Sequence, residues 1–442
     1  MTQSLPSTIN AKKKLWAAVG GPLGLWSTVT RSSGELSWVL GNKFTLMGAN
    51  AAVMLFLAKQ LDLKTYGLLV ITISAQLLIS RLLLVGVDSG MIRLTALPEL
   101  QSREREVVTA GLVTLACTSA ALLVISLLAM PVLSLVKVSP WIIACVAGGS
   151  IGLALVDYGY SFRLARHEYP RAAFIQGGTA LWRLGLTATV AVMLPASPIA
   201  VFVAYHGSSL LSGLVQALTI GRVNWHVPHK DLLKRLLSYS LWLGKAHVIV
   251  IFCLYQGTFL LTFLKQPVAT GLFGLALSLS LGFFAIYQAY SEYLSVRVRS
   301  VENIEHLPSF IRRALAGSII LIVASVPIVF VIKSLVPWLL GPEWHEVVAI
   351  FVYLSAAMML LLFNAPLVAT SHYLLRPHLI TFGWVTCATF IAILGLILAP
   401  QMGAIGAAIA QLIGTMLALF VVSWMVSRAL RSAMEEAGGG QA

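Results

Sequence analysis

Apolar runs long enough to cross a bilayer recur from one end of this 442-residue chain to the other, and that recurrence fixes the solvent before any motif is considered. A helix needs about 20 apolar residues to cross roughly 30 Å of hydrocarbon. Runs of that kind predict spans near 36–58, 66–88, 107–129, 141–162, 172–194 and 198–221, then near 236–263, 268–293, 314–334, 346–372, 377–399 and 403–427. Charged residues make up 10% of the chain and hydrophobic ones 58%, whereas a soluble domain carries about 25% charged residues. Too few charges remain to cover a soluble surface. The expected fold class is therefore all-α and polytopic, with about twelve transmembrane helices in two six-helix lobes.

The loops test that threading, because Lys and Arg concentrate in cytoplasmic loops and a wrong span count scrambles the alternation. One set of loops, with both termini, holds 21 Lys and Arg: Lys12 to Lys14, Arg31, Arg93, Arg103, Arg105, Arg163, Arg166, Arg171, Arg222, Lys230, Lys234, Arg235, Arg297, Arg299, Arg312, Arg313, Arg376, Arg428 and Arg431. The other set holds five, Lys59, Lys64, Lys137, Lys265 and Lys333. This asymmetry predicts an even number of spans with both termini cytoplasmic.

The expected organisation is an interfacial cytoplasmic segment over 1–35, an N-lobe over 36–221, a cytoplasmic linker over 222–235, a C-lobe over 236–427 and a tail over 428–442. Lys12 to Lys14 precede an apolar stretch from Leu15 to Trp26, but Gly20, Gly21 and Pro22 break it and no small-x-small cleavage pattern follows, which argues against a secretory signal. Leu57 to Ser74 resembles Leu261 to Ser278, each lying where a lobe's first span gives way to its second. Apolar segments match one another cheaply, so duplication and coincidence both stay open at this point. Duplicated lobes suit a transporter with its site between them.

Several function classes are disfavoured. The net charge of +14 sits in short clusters between apolar runs rather than in a basic stripe with interleaved aromatics, so nucleic acid is not expected. Cys117, Cys145, Cys253 and Cys387 lack metal-ligand spacing and fall inside spans, as packing residues do. Gly148-Gly149-Ser150 lacks the spacing and lysine of a phosphate loop. No metal, cofactor or catalytic residue is expected. The outer loops are short, which disfavours a membrane glycosyltransferase or polymerase, and the chain is expected not to be an enzyme.

Ionisable residues at membrane depth ask for a reason, since a charge at a helix centre costs about 2.5 to 3.5 kcal/mol even on insertion scales. Arg183 lies about 11 residues into its span, roughly 16 Å along the helix, too deep to snorkel. Lys245 lies near it in depth, two residues before His247; Lys43 and Arg81 are closer to the basic edge, within snorkelling range. Two readings compete for these four: structural ion pairs and interfacial snorkelling, or a cationic cavity that binds an anionic substrate group. Asp88, Asp157 and Glu292 near span ends, with His206 and His247, are candidates for coupling or gating, against the blander reading of solvated carboxylates and packed histidines. Asn364-Ala365-Pro366 is expected to interrupt the tenth span. Gly406, Ala410 and Gly414 form a small-xxx-small pattern expected at a close helix contact, and Trp338 and Trp344 are expected in an interfacial belt. Bases exceed acids at depth, which favours a phosphate-bearing substrate over a cationic drug.

Two stretches resemble bacterial polysaccharide flippases of the O-antigen translocase type, within the multidrug, oligosaccharidyl-lipid and polysaccharide exporter superfamily. One runs from Leu57-Ala58-Lys59-Gln60-Leu61-Asp62 through Thr65-Tyr66-Gly67-Leu68 to Gly86-Val87-Asp88-Ser89-Gly90-Met91-Ile92-Arg93. The other comprises Gly341-Pro342-Glu343-Trp344, Arg376-Pro377 and Pro400-Gln401-Met402-Gly403-Ala404-Ile405-Gly406. The resemblance implies two six-helix lobes that rock between inward-open and outward-open states, with spans one, two, seven and eight lining a central cavity. Lys43, Arg81 and Lys245 fall on three of those spans and Arg183 does not. The stretch Cys253-Leu254-Tyr255-Gln256-Gly257 lacks the acidic residue common there in the family, which argues against ion coupling through that helix. The implied function is translocation of a polyprenyl-diphosphate-linked oligosaccharide, a polysaccharide, lipopolysaccharide or exopolysaccharide precursor, across a bacterial cytoplasmic membrane. Membrane lipids and glycan polymerase or assembly proteins are the implied partners. The alternatives are a multidrug or cation antiporter of the same fold, and a scaffold in a glycan-assembly complex.

Overall fold

The computed structural model describes residues 21–439 apart from 96–97, 136–138, 195–196, 222–227, 299–300, 302–303, 375 and 377. Lys12 to Lys14, Trp16, Lys137, Arg222, Trp225, Arg299 and Pro377 lie outside the described residues, as do all but the last two residues of the 222–229 approach to the second lobe. Among the described residues twelve α-helices follow one another: α1 Gly21–Gln60, α2 Leu63–Leu84, α3 Val87–Thr95, α4 Glu104–Leu135, α5 Pro140–Ala165, α6 Tyr169–Met193, α7 Pro198–Gly221, α8 Lys230–Phe263, α9 Pro267–Arg297, α10 Leu307–Leu340, α11 His345–Tyr373 and α12 His378–Gly439. Among the described residues there is no strand. Nine of the helices are long and apolar enough to cross a membrane, so the chain is an all-α polytopic membrane protein. The predicted first and fifth spans lie on α1 and α6, which are more polar because they carry Asn42, Lys43, Asn50, Gln176 and Arg183. The last two predicted spans are the two halves of α12, which bends at Gly403, φ 58° and ψ −133°.

The helices alternate between a basic end of the bundle and a sparse end. Their packing order repeats: α1 lies on α6 as α8 lies on α12, α2 on α5 as α9 on α11, and α4 on α5 as α10 on α11. The two groups meet where α1 and α2 pack on α9 and where α2 and α3 pack on α8. At the sparse end this contact is backbone to backbone. A β-carbon on Gly67 would stand 2.0 Å from the carbonyl oxygen of Pro267, and one on Gly271 would stand 3.0 Å from the carbonyl oxygen of Leu63. Gly67 and Gly271 are counterparts in the repeat seen in the sequence, and so are Leu63 and Pro267. Each residue thus meets the counterpart of its partner, the relation a two-fold axis imposes on self-complementary surfaces. The register is that of duplication, not of chance. At the basic end Gly86, φ +79°, and Gly244 form the other close approach: a β-carbon on Gly86 would lie 2.3 Å from the Ser240 carbonyl oxygen.

Three sequence expectations change. The predicted 66–88 span stops at Leu84, because Val85 (φ 51°) and Gly86 (φ 79°) turn left-handed and restart the chain as α3. Asn364-Ala365-Pro366 does not interrupt its span; α11 is continuous, with Pro366 inside it and Ala365 buried. Helix N–H loss at one proline is tolerated where neighbouring helices enclose the turn. Trp338 is 79% exposed, as a belt residue should be, but Trp344 is buried edge-to-face on Tyr66 with ring centroids 5.5 Å apart. The helix that carries the first span begins at Gly21, with Pro22 in its first turn. Gly406 and Gly414 do mark a close contact, packing the second half of α12 on Leu398 and Ile391 of the first.

Candidate functional site

The left-handed turn at Val85 and Gly86 builds the first half of the site. It folds α3 back so that Asp88, on the first turn of α3, faces Arg81 on the last turn of α2, Nη1 to Oδ2 at 3.6 Å. Arg81 also reaches Asp157 on α5, Nη2 to Oδ2 at 3.0 Å. Both carboxylates are buried, so each requires the partner it has; an isolated buried charge is far costlier than a paired one. From Asp157 the network continues. Gln176 on α6 donates through Nε2 to Asp157 Oδ1 at 2.9 Å, and Asn42 on α1 donates through Nδ2 to Gln176 Oε1 at 2.9 Å. The neighbour of Asn42, Lys43, donates to Glu292 Oε1 on α9 at 2.5 Å, which links the two lobes directly. His247 on α8 lies within electrostatic reach of Asp88, Arg81 and Asp157. Seven helices thus contribute to one charged belt near the basic end.

A second cluster sits deeper. Arg183 on α6 is 5% exposed. It donates through Nη2 to Asn50 Oδ1 at 2.7 Å and lies over the ring of Tyr205 at 5.0 Å. Its Nε has no hydrogen-bond partner, and among the described residues no carboxylate lies within ion-pair distance. Beside it His206 contacts Gln76 Oε1 through Nδ1 at 2.6 Å and Thr72 Oγ1 through Nε2 at 3.2 Å, while Gln76 Nε2 donates to the Gly149 carbonyl at 3.0 Å. Tyr255 of α8 faces this cluster from the other lobe, within reach of Tyr205 and Arg183. The cluster is therefore a buried cation with aromatic and amide neighbours at the seam between lobes.

Of the nine residues singled out from the sequence, Lys43, Arg81, Asp88, Asp157, His247 and Glu292 come together in the charged belt. Arg183 and His206 share the deeper cluster. Lys245 is exposed on α8, two residues from His247. Asn42, Asn50, Gln76, Tyr205 and Gln176 were missed. Amides and a tyrosine carry no charge penalty, so sequence alone gave them no prominence; their only signal was polarity inside an apolar span. Cys253 and Cys387 are buried and Cys117 exposed, all as free thiols.

No family model and no curated relative matches this chain. Solved structures do. It is similar to an inward-facing multidrug resistance MATE family transporter of the MOP superfamily, with a TM-score of 0.67 and 14% identity over 88% of this chain and 95% of that one. It is equally similar to the lipid II flippase MurJ in an inward closed conformation, TM-score 0.67 and 11% identity over 88% of each chain. A MOP superfamily transporter from Pyrococcus furiosus, described as having a binding pocket of reverse polarity, matches with a TM-score of 0.57 and 12% identity over 90% of this chain and 96% of that one. The chain has the fold that these MOP superfamily transporters share.

Proposed function

We propose that this protein is a flippase that carries a polyprenyl-diphosphate-linked oligosaccharide from the cytoplasmic to the outer leaflet of a bacterial cytoplasmic membrane by alternating access, without covalent chemistry. One observation carries the reading: Asp88 and Asp157 share Arg81 and Glu292 pairs with Lys43, whereas Arg183 holds a positive charge at depth with no acid beside it among the described residues. The local positive potential around Arg183, in a low-dielectric seam, attracts an anion and repels a cationic drug. Arg183 is the diphosphate contact in this scheme, its unpartnered Nε and planar fork suiting phosphate oxygens. Tyr205 and Tyr255 offer faces to sugar rings. Lys43 becomes available when the lobes part and its ion pair with Glu292 opens, while Arg81 keeps its partners within the first lobe. The basic end of the bundle faces the cytoplasm, both termini with it, following the loop charges. The named likeness to a lipid II flippase supports a lipid-linked cargo, and the likeness to multidrug transporters keeps drug export as the rival.

The test is leaflet exchange of a fluorescent polyprenyl-diphosphate oligosaccharide in liposomes holding the purified protein. Exchange that needs the wild type and falls roughly 10- to 100-fold in Arg183→Gln, the scale of one lost charge-assisted hydrogen bond, supports the assignment. Undiminished exchange in Arg183→Gln removes Arg183 from the path. Drug efflux without saccharide exchange replaces the proposal with its rival.

A further inference from the structure

Between α10 and α11, near the sparse end, lies a groove of about 570 Å³ lined by Lys333 and Pro337 of α10 and by His345, Val348, Val352 and Tyr353 of α11. Pro337 has no N–H to give the carbonyl of Lys333, four residues earlier, within an otherwise continuous helix. The volume is that of a small-molecule site, about 300 to 1,000 Å³. The groove lies away from the seam between lobes and shares no residue with the charged belt or with the Arg183 cluster.

Its surroundings define the occupant. The outward face of α10 is an unbroken apolar stripe: Ile320, Val323, Phe330 and Val331 are each more than 60% exposed, so in the bilayer this face meets acyl chains. Trp338, 79% exposed, marks the headgroup level, and Lys333 lies five residues deeper, roughly 7 to 8 Å along the helix. An ammonium there snorkels toward the interface. Lys333 and His345 are both exposed and neither has a hydrogen-bond or ion-pair partner among the described residues. Glu343 and Glu346 flank His345 in sequence, yet neither lines the groove. Two donors, Lys333 and His345, beside an apolar wall of Pro337, Val348 and Val352 match a molecule with an anionic head and an apolar tail.

We infer that this groove binds an anionic glycerophospholipid of the surrounding bilayer, its phosphate held between Lys333 and His345 and an acyl chain lying along Val348 and Val352. The inference rests on the membrane-embedded fold and is independent of the transported substrate. Native mass spectrometry of the full-length protein in detergent, washed free of lipid and titrated with phosphatidylglycerol or phosphatidylcholine, tests it. The wild type retains phosphatidylglycerol in preference to phosphatidylcholine. Lys333→Ala and His345→Ala each lower that retention roughly tenfold, the order expected for one lost charge-assisted contact, and Lys333→Arg restores it. Equal retention of the two lipids, or unchanged phosphatidylglycerol binding in Lys333→Ala with the protein monodisperse, overturns the assignment. So does loss of binding in Lys333→Arg, because a site for a phosphate tolerates either cation.

Discussion

Gly67→Ala places one methyl group where the two lobes touch. The new β-carbon would lie 2.0 Å from the carbonyl oxygen of Pro267 and 2.9 Å from its carbonyl carbon. Both are backbone atoms at the start of α9, so no side chain can rotate away. Real β-carbons essentially never approach within 3.0 Å, and α2 and α9 must part by at least about 1 Å at the sparse end. Overpacking of this kind costs about 1 to 3 kcal/mol, which shifts a two-state equilibrium about 5- to 150-fold. Alanine also gains about 1 kcal/mol of helix propensity over glycine, so thermal stability alone conceals the effect. Conformation does not. Gly244→Ala is the mirror perturbation, since its β-carbon would meet the backbone of Val85 at 2.6 Å at the basic end. With the four native cysteines replaced and spin labels at Lys59 and Lys265, or at Arg93 and Arg297, pulsed electron resonance reads the opening of each end. Gly67→Ala lengthens the 59–265 distances and Gly244→Ala the 93–297 distances. Distributions that overlay the wild type in both variants refute the view that these glycine crossings are rigid contacts on which the lobes move.

The Lys43–Glu292 pair joins the lobes, but the Glu292 side chain is 57% exposed, and exposed pairs contribute only about 0 to 1 kcal/mol. Glu292→Gln therefore lowers the thermal midpoint little while lengthening the 93–297 distances, and exchanging the two charges in Lys43→Glu/Glu292→Lys reverses that; a large stability loss in Glu292→Gln contradicts it. Asp62 caps α2, accepting from the Thr65 amide at 2.9 Å and its hydroxyl at 2.7 Å, so Asp62→Ala costs about 1 kcal/mol and Asp62→Asn much less. Those hydrogen bonds, the backbone one first, hold the Asp62 carboxyl below its ordinary 3.8. Its contribution is thus complete at neutral pH and fades as pH falls below 3.8, and a thermal-shift difference between wild type and Asp62→Ala that persists unchanged in acid would sink the assignment.

How much of this was legible beforehand differs by element. The spans were, because a 20-residue apolar run has one stable solution in lipid, a helix with every backbone group satisfied internally. The break at Val85 was not: valine disfavours a left-handed backbone, and the turn packs closely on Ser240 and Gly244 of the other lobe. Asn364 and Pro366 pointed to a break that enclosure by neighbouring helices removes. Lys43, Arg81, Asp88, Asp157 and Glu292 stood out singly through their desolvation cost. That they form one belt depends on amide links through Asn42 and Gln176, which composition does not reveal.

The sequence by itself therefore determined the solvent, the helical class and the alternation of basic and sparse loops, all of which follow from local chemistry repeated along the chain; the duplication of the lobes it left open until Gly67 was found against Pro267 and Gly271 against Leu63. Only the tertiary structure decided which charges neutralise one another, because pairing is set by distance across helices that are far apart in sequence. Arg81 and Asp157 are 76 positions apart and Lys43 and Glu292 are 249 apart, yet each pair closes to within 3.0 Å. Once those partners are assigned, Arg183 stands as a buried charge with no counter-ion among the described residues, and a one-dimensional count of acids and bases contains no term for that distinction.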